Sequence, residues 1–184
     1  QIPALILDGI SIVISPLISL MKDQVDTIKA MGIEACFINS SLSTTEFNEI
    51  IRDIEKGKYK IVYIAPERLE SYEFLNAITQ NRISQVAIDE AHCVSSWGHD
   101  FRSSYRRIKF FIESLEVRPI VTAFTATATE AVKDDIIVLL GLQKPKLYLT
   151  GFDRENLFVN IVKGEDKRRY ILKYIKENIN DSGI

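Results

Sequence analysis

Two adjacent carboxylates, Asp89 and Glu90, are the residues of this chain best placed to do chemistry. They follow Val86-Ala87-Ile88, a short β-branched apolar run that reads as a buried strand. The carboxyl end of such a strand is where open α/β sheets bind ligands. One carboxylate there can hold Mg²⁺, directly or through water, while the other orients or deprotonates an attacking water. His92 and Cys93 come next, and a polar loop then carries Trp97, His99, Phe101 and Arg102 with little apolar periodicity to bury them. Aromatic faces beside a guanidinium suit single-stranded nucleic acid. Each feature has a plainer alternative. Asp-Glu after a strand is often a solvated turn, a lone histidine is usually structural, and a single Trp or Phe is usually core. Their joint occurrence within Ser84–Tyr105 weighs against all the plain readings holding at once.

The elements that must position these groups alternate along the chain. Apolar runs predict strands over 10–14, 35–38, 60–65, 86–88, 119–124, 146–149 and 157–162. Helical periodicity covers 1–7, 18–31, 43–57, 70–80, 105–115, 130–140 and 166–178. Ser43-Thr44-Thr45-Glu46 fits a capping box, and Gly32, Gly57 and Gly141 fit helix stops. Strands alternating with helices predict an α/β fold with a mainly parallel sheet covered on both faces. Motifs at successive strand ends then gather along one edge of that sheet.

At 184 residues the length fits one domain with a sizeable core, and 46% apolar with 26% charged residues fits a globular protein. No apolar run approaches the roughly 20 residues that span a bilayer, and nothing at the start resembles a signal peptide. Cys36 and Cys93 have neither metal-ligand nor disulfide spacing, which points to reduced thiols and an intracellular protein. A net charge of −2 gives no basic signature, so nucleic-acid binding rests on local sites.

Asp89-Glu90-Ala91-His92-Cys93, followed by Trp97-Gly98-His99-Asp100-Phe101-Arg102, resembles the RecQ family of superfamily 2 DNA helicases. The run Ile14–Gln24 is similar to that family's motif Ia, Tyr63–Leu69 to motif Ib and Phe124–Ala128 to motif III. Gly151–Leu157 resembles its FDRPNL run, with Glu155 where proline is usual, and Ser103 likewise replaces a usual proline. The resemblance covers essentially the whole chain and implies a RecA-like, P-loop NTPase-type three-layer fold. It implies that Asp89 helps hold Mg²⁺ with ATP, that Glu90 activates the hydrolytic water, and that His92 couples the nucleotide site to the aromatic loop. Ser15, Pro16, Lys22 and Gln24, with Pro66 and Arg68, would lie along DNA. Trp97 and Phe101 would stack, and His99 and Arg102 would sense the strand. Thr125, Ala126 and Thr127 would link the ATP site to DNA and a second domain. Plainer alternatives stand beside these. Motif Ia also reads as an ordinary strand, turn and helix, and Glu67–Arg68 as a surface ion pair. Thr127 or Thr129 could simply be an N-cap. Arg106-Arg107 and Lys167-Arg168-Arg169 read as solvated faces.

No GxxxxGK[ST] run occurs in the chain. In the family such a loop lies just before a segment resembling Gln1–Leu5. The expectation is therefore a first RecA-like domain over 1–178 lacking its P-loop, with 179–184 leading to a second RecA-like domain. The arginine finger, a zinc-binding module and a winged helix would lie outside these residues. Because the family places the P-loop strand inside the sheet, a gap in the sheet is expected. The implied parent is a 3′-to-5′ ATP-dependent DNA helicase of recombination and repair, using ATP and Mg²⁺ on single-stranded and forked DNA. It would be an intracellular protein (cytoplasm or nucleoid in a bacterium, nucleus in a eukaryote) with no membrane partner. The isolated chain is expected to hydrolyse ATP poorly. Two rivals stand: an RNA-acting superfamily 2 helicase, separated by DNA-versus-RNA stimulation, and a non-catalytic single-strand-binding or protein-interaction module, separated by the sequence upstream of Gln1.

Overall fold

Ile10–Ile14 reads Ile-Ser-Ile-Val-Ile, and a strand so apolar belongs in the middle of a parallel sheet. In the computed structural model, which describes residues 1–149, 156–157, 160–164 and 166–180, this strand (β1) is the central one of five. The others are β2 (Ala35–Ile38), β3 (Ile61–Ile64), β4 (Ile83–Ile88) and β5 (Ile120–Ala123). The order is β2-β3-β1-β4-β5, and every pairing is parallel. Helices α1 (Ile2–Ile6), α2 (Ile18–Ala30), α3 (Thr44–Glu55), α4 (Tyr72–Thr79), α5 (Arg107–Ser114) and α6 (Glu130–Leu139) cover the faces. No helix among the described residues is long and apolar enough to cross a membrane.

Alternation along the strands divides the core in two. Ile12, Ile14, Val62, Ile64, Val86 and Ile88 face one way, against Ile54, Phe74, Ile78, Ile108, Ile112, Val132 and Ile136 of α3 to α6. Ala35, Ile61 and Tyr63 face the other way, against Met21, Val25 and Ile28 of α2 and Ala4 of α1. At roughly 1.5–3 kcal/mol for each large apolar side chain removed from water, these layers dominate the favourable side of folding. Ser43 and Glu46 bond reciprocally at the start of α3, forming the expected capping box.

Register is what prepares the site. Ile14 of β1 pairs with Ile64 and Ile88, Ile38 pairs with Ile64, and Ile88 pairs with Ala123. The strands therefore end level, and Asn39, Ala65, Ser15, Asp89 and Phe124 form one row across the carboxyl edge. Backbone N–H groups of Ala65, Ser15, Asp89 and Phe124 continue the ladder into that row.

Three expectations are corrected. The sheet is continuous from β2 to β5, so no gap interrupts it; its open flank is the outer side of β5, where Ile120 is 55% exposed. Lys146–Leu149 forms no strand, and Leu147, Tyr148 and Leu149 are all exposed rather than packed against the core. The run 157–162 is likewise not a strand at Leu157 or at Asn160–Val162, and 158–159 lie outside the described residues. The chain divides into two units, Gln1–Pro145 and Lys146–Ile184. The second contains α7 (Lys167–Glu177), capped by Asp166 and with no buried residue. Residues 151–155 of the Gly151–Leu157 run, and 181–184, are outside the described residues.

Candidate active site and nucleic-acid interface

Asp89 is the first residue past β4, and the ladder bond from its N–H to Ile14 O (2.9 Å) fixes its backbone. Its carboxylate accepts the Ser15 hydroxyl (3.2 Å) at Oδ2 and the Glu90 N–H (3.0 Å) at Oδ1. Its carbonyl accepts the buried Tyr105 hydroxyl at 2.8 Å. Each carboxylate oxygen keeps lone-pair capacity after these bonds. Glu90 then turns the chain sharply, at φ 46° and ψ 46°. A left-handed non-glycine residue costs on the order of 1–3 kcal/mol and persists only where its surroundings hold it. Here the Ala91 N–H bonds Phe124 O (2.8 Å) and the Cys93 N–H bonds Glu90 O (2.9 Å). The strained turn aims the half-buried Glu90 side chain back at His92.

His92 is buried, with Nδ1 2.9 Å from Thr125 Oγ1 and 3.3 Å from Glu90 Oε2. The Thr125 hydroxyl proton goes to Thr127 O (3.1 Å), so its oxygen can only accept from the ring. Nδ1 therefore carries the proton, shared between the Glu90 carboxylate beyond β4 and the threonine beyond β5. The Thr127 N–H also bonds Thr125 Oγ1 (3.3 Å), while Ala126 and Thr127 stand exposed. Thr129 is the N-cap of α6, through its bond from Val132 N–H.

The aromatic loop leaves from the same histidine. The His99 ring stacks on His92 at 4.3 Å between centroids. Gly98 allows this approach, since a Cβ there would lie 2.5 Å from His92 O. Trp97 is 79% exposed and Phe101 42% exposed. Arg102 donates from Nε and Nη2 to Asp100 Oδ2 (3.2 and 3.0 Å) and from Nη1 to Pro16 O (3.4 Å), joining the loop to the turn after β1. The guanidinium holds the Asp100 carboxyl below its ordinary value.

The remaining expected residues distribute unevenly. Ser15 is buried, with its hydroxyl given to Asp89. Pro66 is buried and Arg68 half-buried in a short 3₁₀ turn after β3, with the Arg68 guanidinium 5.8 Å from the Phe47 ring centre. Lys22 is exposed on α2, and Gln24 approaches Gln1 at 3.5 Å; neither bonds to the carboxylate or loop residues among the described ones. Arg106 is an addition that the sequence reading assigned to a solvated face. Its guanidinium stacks over Phe101 at 5.2 Å. Its neighbour Arg107 pairs with Glu70. Tyr105 is a second addition, hidden because its partner is a backbone carbonyl that no motif marks.

No group of three or more His, Cys, Asp or Glu among the described residues forms a metal cage. Mg²⁺ is usually held by one or two carboxylates together with substrate phosphates and waters. Asp89, a hard oxygen donor at an open sheet edge, fits such a share of the coordination.

A parallel sheet with Asp-Glu-Ala-His at the end of its fourth strand, tied through histidine to the next strand's threonine, defines the class. The family model for DEAD/DEAH box helicases matches residues 1–135, and the chain belongs to that family. The chain is 51% identical over its whole length to the ATP-dependent DNA helicase RecQ of Bacillus subtilis, covering 31% of that protein. It is 42% identical over its whole length to RecQ of Pasteurella multocida, covering 29%. The chain thus spans under a third of the length of these curated relatives. The helicase domain of Pyrococcus furiosus Hef shares the fold, with a TM-score of 0.53 at 18% identity over 75% of this chain and 28% of that one.

Proposed function

We propose that this chain is the nucleotide-hydrolysing part of an ATP-dependent DNA helicase of the RecQ type, moving 3′ to 5′ on single-stranded and forked DNA. The single observation that carries the reading is the position of His92, whose Nδ1 lies 3.3 Å from Glu90 Oε2 and 2.9 Å from Thr125 Oγ1 while its ring stacks on His99. A carboxylate placed to activate water is thereby wired to the loop that offers stacking faces. Asp89 contributes to Mg²⁺ binding, and the ion would neutralise charge on the ATP phosphates. Glu90 positions the attacking water and accepts its proton. Ser15 serves chiefly to orient Asp89. Trp97 and Phe101 stack bases, with Arg102 and Arg106 supplying cations beside them. Pro16, Lys22, Gln24, Pro66 and Arg68 belong to the backbone track, which holds a strand without reading its sequence. Ala126 and Thr127 with Thr125 face the second RecA-like domain. A role in recombination and repair inside the cell accompanies this assignment.

The test is ATP hydrolysis by the complete gene product, with and without single-stranded DNA or RNA. DNA should stimulate turnover, and Glu90→Gln should lower it by roughly 10²–10⁴ while oligonucleotide binding survives. Stimulation by RNA alone would move the protein to another substrate class. Binding without any hydrolysis would leave a single-strand-binding module.

A further inference from the structure

Trp97 presents a puzzle of placement. Its indole is 79% exposed, so no side-chain packing positions it, yet stacking requires a ring held out to the strand. Its position must come from the backbone beneath it. Ser95, fully buried, supplies that fixture. Its Oγ accepts the Trp97 N–H at 3.1 Å and its carbonyl accepts the Gly98 N–H at 3.1 Å. The hydroxyl proton goes to Asp135 Oδ2 at 2.6 Å, the length of a charge-assisted bond. A serine hydroxyl rotates freely unless its proton is claimed. The Asp135 carboxylate claims it, and the lone pair is then left for the Trp97 N–H.

Asp135 lies on α6, outside every run of residues assigned to the site. We propose that Asp135 is a positioning residue for the nucleic-acid loop: through Ser95 it fixes the backbone of Trp97 and so the aim of the indole. The proposal rests on the reading of that loop as a single-strand contact. It also gives the loop a second attachment to the β5–α6 segment, beside the His92–Thr125 bond. Displacement of α6 would therefore move the stacking face with it.

Trp97 is the only tryptophan of these 184 residues, so in this chain its emission reads this loop alone. The experiment compares Trp97 anisotropy and oligothymidylate binding in the wild type, Asp135→Ala, Ser95→Ala and Asp135→Asn, with thermal unfolding followed by circular dichroism. Asp135→Ala and Ser95→Ala should lower the anisotropy and weaken binding about tenfold, near the lower end of losing one base–aromatic stack. Asp135→Asn keeps an acceptor oxygen and should preserve both. Unchanged anisotropy in the two alanine variants overturns the proposal, as does an Asp135→Asn variant indistinguishable from Asp135→Ala. Should Asp135→Ala fail to fold, Ser95→Ala, which removes a single oxygen, decides on its own. A wild type that ignores oligothymidylate defeats the single-strand reading of the loop. The anisotropy comparison would still decide whether Asp135 holds it.

Discussion

The two carboxylates and the aromatic loop share one stretch of chain and are held in opposite ways. Asp89 is built into the sheet. Its N–H is in the ladder, its oxygens receive Ser15 and the Glu90 N–H, and its carbonyl receives Tyr105. The loop is held through Ser95, Gly98 and Arg102 and by the His99 ring stacked on His92, while Trp97 projects into solvent. Under the proposed function, the difference follows from what each region would do. Water attack on phosphate depends on groups placed to within a fraction of an ångström, which calls for a rigid frame. Stacking on bases tolerates many partners and needs only a presented face. Function and stability should therefore separate sharply between the two regions.

The largest effect expected is at the framework end. Glu90→Gln keeps the shape and its contact to His92 but removes the base, so DNA-stimulated ATP turnover should fall by roughly 10²–10⁴. The thermal transition should stay in place. The loop should behave differently: Trp97→Ala should weaken single-strand affinity by about 1–3 kcal/mol while leaving folding stability within about 0.5 kcal/mol. A Trp97→Ala variant that unfolds readily would break the comparison, because the ring would then be core. Tyr105→Phe sharpens it from the other side. Losing the bond to Asp89 O should cost about 1 kcal/mol of stability, read by denaturant titration, with nucleic-acid affinity unaffected.

Much of this frame was legible in the sequence because the strands are short and buried on both faces. Ile10–Ile14 and Ile61–Ile64 could hardly be anything but central parallel strands, and Ser43 with Glu46 announced its cap. Periodicity alone could not show that the strand ends lie level, which is a property of register. It also overreached at Lys146–Leu149, where an apolar run is present but no strand forms. In the site, residue types pointed to Asp89, Glu90 and Trp97 directly. The bonds of Ser15 and Tyr105 to Asp89 and the stacking of Arg106 over Phe101 are not legible in residue types, because they depend on how the chain folds back on itself.

Between the two regions sits Cys93, and its expected effect shows only at alkaline pH. Its N–H bonds Glu90 O, and its carbonyl accepts the Arg102 N–H, so it joins the strained turn to the loop's return. Burial, with the Asp100 carboxylate adding, pushes its thiol from 9.0 up to about 11. A folded pKa above the unfolded one means the native state keeps a proton that the unfolded chain releases. The thiol's contribution is thus fully present below pH 9.0 and is lost as the pH rises toward 11, at up to about 1.4 kcal/mol per pH unit. Burial also raises Cys36, far from the loop, so the two can be told apart by substitution. Cys93→Ala should flatten the alkaline loss of stability and delay the accompanying change in Trp97 emission. Cys36→Ala should flatten the stability curve while leaving the timing of the Trp97 change relative to unfolding as it was. If Trp97 emission instead changes well before the sheet unfolds, in wild type and Cys93→Ala alike, the loop's root is open to solvent and the frame ends at Glu90.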